Sequence, residues 1–177
     1  MPNKIVVVDS SVLMFRSIFS WQLNKSLSVK YLYINSLVAT LKRLTITPDD
    51  IVIIAVDSSK GSWRKKIDPA YKANRRELRE KHKDIDWNYM FSIFNHLLDN
   101  LDKYSPFNVI CIDFLESDDI MAYVPKYFKD NETILITTDS DIDMLSVYPN
   151  VRIFSPISKK YKITKNPYDL LDKKIKE

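Results

Sequence analysis

Glycine is almost missing from this 177-residue chain, with Gly61 the only one. That excludes a P-loop and a GxGxxG turn, so any phosphate chemistry must run on carboxylates, cations and basic side chains. Two histidines and one cysteine are too few for a structural zinc site. Cys111 has no intrachain disulfide partner, and the expectation is that it packs in a strand core of a cytosolic protein. No apolar run approaches the roughly 20 residues that span a bilayer, so no membrane partner is expected. The N-terminal apolar stretch runs straight into Asp9, too short for a signal peptide.

What is there is a globular composition, 45% hydrophobic and 28% charged, with the charge unevenly placed. Residues 60–83, KGSWRKKIDPAYKANRRELREKHK, hold ten Lys/Arg against three Asp/Glu, while the other residues are net −3. So local a positive stretch predicts a polyanion contact. Affinity for nucleic acid is expected to come mostly from 60–83, because the rest would repel phosphates.

Four β-branched or apolar runs are too short for helices: 4–9, 51–57, 107–114 and 133–139. Their continuous hydrophobicity predicts parallel strands covered on both faces. Helical periodicity lies between them, over 30–44 and 87–104. A third helix is expected over 117–128, capped by Ser117 and kinked or ended by Pro125, and a fourth begins in the C-terminal stretch. Alternating strands and helices predict an α/β three-layer sandwich around a central, mostly parallel sheet.

The acids fall where such a sheet puts its ligand crevice. Asp9 ends the first strand and Asp57 the second; Glu116, Asp118 and Asp119 follow the third; Asp139 and Asp141 follow the fourth. Two carboxylates about 5 Å apart repel by roughly 3 kcal/mol at an effective dielectric near 20. Several such pairs would rival the whole stability of a domain, about 5–15 kcal/mol. Protons or cations must compensate, and hard oxygen ligands suit Mg²⁺ or Mn²⁺. Two such ions, about 3.5–4 Å apart, would serve phosphodiester cleavage. A lone Asp after a strand is usually a turn former or cap. Asp143 reads that way, but four acid-bearing strand ends do not.

The stretches VVVDSS, IAVDSSKGSWRKKIDPAYKANR, ESDDIMAY, TTDSDIDML and YPNVRIFSPISKKYKI resemble the 5′ nuclease family, whose catalytic domain is PIN-like. The likeness is greatest to its bacteriophage ribonuclease H and 5′-3′ exonuclease branch. The resemblance implies that residues 1–177 form one catalytic domain and that 60–83 form a basic helical arch. It implies that Asp9, Asp57, Glu116, Asp118 and Asp119 hold one metal ion and that Asp139 and Asp141 lean toward a second. It puts Arg64, Lys65, Tyr71, Lys72, Arg75 and Arg76 near the scissile phosphate, with Lys72 and Arg75 matching the family's YKxNR pattern. Catalysis is then expected to rest on Lys72, Arg75, Asp118 and Asp139.

Lys72, Arg75, Arg76 and Arg79 also stand at helical spacings, which puts several of them on one face. Trp63 and Tyr71 offer stacking surfaces, and Lys65 and Lys66 add charge to the nucleic-acid contact. The partners implied are DNA with 5′ flaps or single-stranded 5′ ends, RNA–DNA hybrids and replication proteins, in the host cytoplasm for a phage-encoded chain. The family's glycine-bearing helix–turn region is not found up to Glu177, so a separate polypeptide or a truncated form is expected. A minimal PIN-like ribonuclease and a non-catalytic nucleic-acid-binding remnant stand as alternatives.

Overall fold

In the computed structural model, which describes residues 3–73 and 82–176, six strands form one sheet in the order β3-β2-β1-β4-β5-β6. The strands are β1 (Lys4–Asp9), β2 (Ile51–Val56), β3 (Asn108–Cys111), β4 (Glu132–Ile136), β5 (Val151–Ser155) and β6 (Lys160–Tyr161). All neighbours are parallel except β6, which returns antiparallel to β5. The expected α/β sandwich with a mostly parallel sheet is therefore the fold.

Strand periodicity divides the apolar side chains between two cores. Val6, Val8, Ile54, Ile134 and Ile136 face one side, packed with Leu13, Tyr33, Leu37, Phe94 and Leu98. Ile5, Val7, Ile53, Ala55 and Leu135 face the other, packed with Met121, Val124, Ile142 and Leu145. The first side is covered by α1 (Ser10–Leu23), α2 (Val29–Arg43) and α4 (Trp87–Tyr104). The second is covered by α5 (Ser117–Tyr127) and a 3₁₀ helix, Asp141–Val147. A one-turn α3 (Arg64–Ile67) follows β2, and α6 (Pro167–Lys176) closes the described chain.

The helices start where side-chain caps satisfy their first amides. Asp9 caps α1 by accepting from the Ser11 N–H, Ser28 caps α2 through Tyr31, and Asp86 caps α4 through Tyr89. The N-cap of α5 is Glu116, not Ser117 as expected. Glu116 and Asp119 form a reciprocal capping box, which satisfies two amides where a serine would satisfy one. Pro125 lies buried near the end of α5 and does not stop it before Tyr127.

Two expectations fail at the edge of the sheet. The run 107–114 supplies a strand of only four residues, and Cys111 is exposed rather than packed in a core. β3 is the outermost strand, so the apolar composition of its run is not matched by a covering layer on both faces. Ile112 is likewise 48% exposed. Inside the sheet, β4 also ends earlier than the run 133–139 suggested, at Ile136, and residues 137–140 turn at the rim.

Candidate active site

The carboxyl ends of β1, β2 and β4 share one edge of the sheet, and α5 begins over it. Asp9, the last residue of β1, is 5% exposed and sits at the centre. Its Oδ1 accepts from the Ser11 N–H at 3.0 Å, and its Oδ2 accepts from Thr137 Oγ1 at 3.1 Å. Asp57 accepts from the Ser117 N–H at 2.8 Å and from Ser11 Oγ at 3.1 Å. Asp139 Oδ1 accepts from the Asp141 N–H at 2.8 Å, which turns the chain just past β4. Asp139 and Asp141 are exposed, whereas Asp118 is half-buried.

The cluster divides in two by how its charge is met. Arg64 Nη1 donates to Glu116 Oε2 at 3.1 Å and to Asp119 Oδ2 at 3.0 Å, while its Nη2 donates to Asp119 Oδ1 at 2.8 Å. Lys72 Nζ donates to Glu116 Oε1 at 2.8 Å, and Tyr71 Oη donates to Glu116 Oε2 at 2.9 Å. Trp63 Nε1 reaches Asp119 at 3.3 Å, with the Arg64 guanidinium over its ring. Burial alone would raise Asp119, but Arg64 and the Glu116 N–H hold it below the usual carboxylate range.

The other half lacks this compensation. Among the described residues, Asp9, Asp57, Asp118 and Asp139 have no ion-pair partner. Burial, with the charge of Asp57 added, raises Asp9 to about 6 despite its hydrogen bonds. Asp118 is raised to about 7 by burial and by the charges of Asp9, Asp139 and Asp57, against the pull of Lys72. Burial leads both shifts, and neighbouring carboxylates add to it.

The expected basic residues are distributed unevenly. Trp63, Arg64, Tyr71 and Lys72 stand at the acids; Lys65 and Lys66 are exposed, with Lys66 over the Phe114 ring at 4.4 Å. Arg75, Arg76 and Arg79 lie outside the described residues. Lys72 has a φ of 55°, in the left-handed region, so it does not continue a right-handed helix as its spacing suggested. Among the described residues, no group of three His, Cys, Asp or Glu side chains is arranged to hold a metal ion.

Sequence reading missed the neutral scaffold of this edge: Ser11, Ser117 and Thr137 orient the central acids. It also missed Lys162, whose Nζ donates to the carbonyls of Thr138 and Asp139 and to Asp143 Oδ1 at 2.7 Å. The hydroxyls carry no charge pattern, and Lys162 acts across about twenty residues. Only their positions just after strand-ending acids could have flagged Ser11 and Ser117.

A mostly parallel α/β sheet with acids gathered at its carboxyl edge, and a basic segment folded onto them, defines a nuclease-like architecture. The family model for the 5'-3' exonuclease N-terminal resolvase-like domain matches residues 4–174, and the chain belongs to that family. Ribonuclease H of Enterobacteria phage T4 is 32% identical over 136 residues, covering 75% of this chain and 44% of that protein. The 5'-3' exonuclease of Mycoplasmopsis pulmonis (strain UAB CTIP) is 29% identical over 143 residues, covering 79% and 44%. The chain thus spans less than half the length of these two relatives. A bacteriophage T5 flap endonuclease, solved as a pseudo-enzyme-product complex with DNA and metal ions, superposes with a TM-score of 0.73. That match is 23% identical and covers 94% of this chain and 60% of the other. The T5 5'-exonuclease with bound zinc gives 0.71 at 24% identity, over the same shares. These two likenesses establish the fold.

Proposed function

We propose that this chain carries the catalytic site of a divalent-metal-dependent 5′ nuclease that hydrolyses phosphodiester bonds in DNA with 5′ flaps or single-stranded 5′ ends, and in RNA–DNA hybrids. The observation that carries the reading is the split acid cluster. Asp9, Asp57 and Asp139 at three strand ends and Asp118 in the first turn of α5 share one edge with no ion-pair partner among the described residues, beside a basic segment that can meet a phosphate.

The donor chemistry fits Mg²⁺, or Mn²⁺ in its place: all oxygen, with two carboxyls raised by burial first and by neighbouring carboxylates second. Asp9, Asp57, Asp118 and Asp139, which are not drawn into a ligand set as they stand, would have to close together to hold the first such ion. Glu116, Asp119 and Asp141 would complete a two-ion set once Arg64 and Lys72 move to a substrate phosphate. A divalent ion bound there supplies neutralisation of the developing charge and Lewis-acid polarisation of a phosphoryl oxygen. Among the chain's own residues, Lys72 and Arg64 contribute positive charge to the non-bridging oxygens, and Arg75 is expected to join them. Trp63 and Tyr71 offer ring faces to unpaired bases. The Ser11, Ser117 and Thr137 hydrogen bonds fix the central acids, so that little reorganisation is needed when charge develops.

Incubation of the chain with 5′-labelled flap DNA and an RNA–DNA hybrid, with and without Mg²⁺, tests this directly. Cleavage should require the ion and should vanish in Asp139→Asn, while Lys72→Ala should lose cleavage more than binding. Metal-independent cleavage, or an Asp139→Asn variant as active as the parent, would refute the reading.

A further inference from the structure

A second basic tract lies on the other flank of the acidic edge. The turn after β5, residues 156–159, begins at the same edge as Asp9 and Asp139: β5 pairs with β4, and the Thr137 N–H donates to the Phe154 carbonyl at 3.1 Å. Two strand spacings of roughly 4.8 Å separate β5 from β1, so the turn starts about 10 Å from the central acid. Arg16 of α1 fixes this turn by donating from Nη1 to the Pro156 carbonyl at 2.9 Å. Lys159, in the left-handed region at φ 58°, is held there by its N–H donating to the Ser155 carbonyl at 2.9 Å. A lysine in that conformation is uncommon.

The turn walls a groove of about 280 Å³ against α1 and α2, lined by Arg16, Arg43, Lys159 and the hydroxyls of Ser20 and Ser36 among others. A second hollow of about 390 Å³ continues from it, sharing Arg43 and Lys159 and adding Lys4, Arg152 and Lys160. Glu132 is the one acid lining either hollow, and it pairs with Arg152 at 3.2 Å. Among the described residues, Arg43, Lys159 and Lys160 have no carboxylate partner within ion-pair distance. The net charge of −3 outside 60–83 is therefore unevenly spread, with a basic patch at this groove. Net charge over a whole chain hides how folding gathers lysines and arginines from positions 16, 43 and 159.

The first basic tract lies toward the opposite end of the sheet. The Trp63 N–H donates to the Phe114 carbonyl, and the Ser58 N–H to the Leu115 carbonyl, which ties the segment to the β2–β3 side. The acids thus lie between two positive flanks. We propose that the groove between α1, α2 and the β5–β6 turn binds the sugar–phosphate backbone of the nucleic acid, which crosses the acidic edge from the 60–73 segment to Arg43 and Lys159. The proposal rests on the nuclease reading for its ligand and assigns the strand its path. Arg16, Arg43 and Lys159 stand in the groove beside Leu32, Ala39, Phe154 and Pro156, and it is these cations that would meet phosphates, a contact independent of sequence.

The test is fluorescence anisotropy over a salt series with the full chain, a labelled 5′-flap DNA and Ca²⁺ in place of Mg²⁺. Arg43→Glu/Lys159→Glu is compared with the charge-matched Lys103→Glu/Lys129→Glu, whose positions are exposed and outside both basic tracts. The groove variant should bind about tenfold or more weakly. Its slope of log K against log salt should fall by about 1.4–1.8, two contacts' worth of counterion release. Equal affinity and slope in the two variants, with the parent binding well, overturns the groove alone and leaves an acidic protein surface as its alternative ligand. A parent chain that binds no nucleic acid at low salt overturns the nuclease reading with it. Both variants should keep the parent melting temperature, since neither pair makes a described ion pair.

Discussion

Arg64 grips Asp119 with both guanidinium nitrogens, at 2.8 and 3.0 Å, across 55 residues of sequence. The fork-to-carboxylate geometry is the strong form of a charge-assisted bond, and it sits on the same residue that closes the α5 capping box. The basic segment that follows β2 is thereby tied to the first turn of a helix.

Arg64→Met, which keeps the aliphatic stem, should lower stability in chelator by about 1–3 kcal/mol, because Glu116 and Asp119 lose a partly buried partner. Millimolar Mg²⁺ should restore part of the loss. Thermal melts with and without the ion check both; an unchanged melting temperature in chelator would show that water already compensates the acids.

Stability of the metal-free protein should fall as pH rises from 5 to 8. Asp9 at about 6 and Asp118 at about 7 are both raised from 3.8, so the folded state binds more protons than the unfolded one in that window. Their stabilising contribution is complete below about pH 4 and is lost as pH climbs through the folded values. Asp119, shifted the other way, acts only at lower pH. Melts in chelator should show the decline in the parent and a flatter profile in Asp118→Asn. A profile equally steep in the variant would place the repulsion elsewhere.

Tyr33→Phe should cost about 1–3 kcal/mol although no apolar area is lost. The Tyr33 hydroxyl meets Ser10 Oγ at 3.0 Å, and both residues are buried beside the strand end that carries Asp9. Urea titration measures the change in midpoint. A neutral substitution would mean that water replaces the phenol.

Cys111 should react stoichiometrically with maleimide in the folded protein, since it is exposed on β3. Burial of part of its surface, with Asp113 and Asp57 nearby, raises the thiol, so labelling should be slower than for a free cysteine and should quicken with pH. Labelling seen only after denaturation would restore the core assignment that the sequence suggested.

The contrast at Cys111 shows where sequence reading stops. The runs in β1, β2 and β4 announce buried strands because both faces are apolar, but nothing in 107–114 says that its strand stands at the edge. α1 escaped notice because Asp9 ends a strand and caps a helix at once, with no loop between them to mark the change. The acids at the strand ends were legible, because parallel strands deliver their carboxyl ends to one rim whatever the sequence between them. The partners of those acids were not. Arg64 and Lys72 reach Glu116 across 52 and 44 residues, distances at which local pattern carries no information. Arg43 and Lys159, scattered singly, show no cluster until α2 and the β5–β6 turn meet.

The strand order puts β1 between β2, from the first third of the chain, and β4, from the last. Asp9 accordingly hydrogen-bonds Ser117 across 108 residues and Thr137 across 128. Contacts closed over such long loops carry a high entropic cost until the intervening structure has formed. Neither half of the chain can assemble the acidic rim alone, so nascent or broken molecules would present its carboxylates scattered and solvated. The acidic rim is in this sense a proof of completed folding: only a finished sheet can bring its acids together.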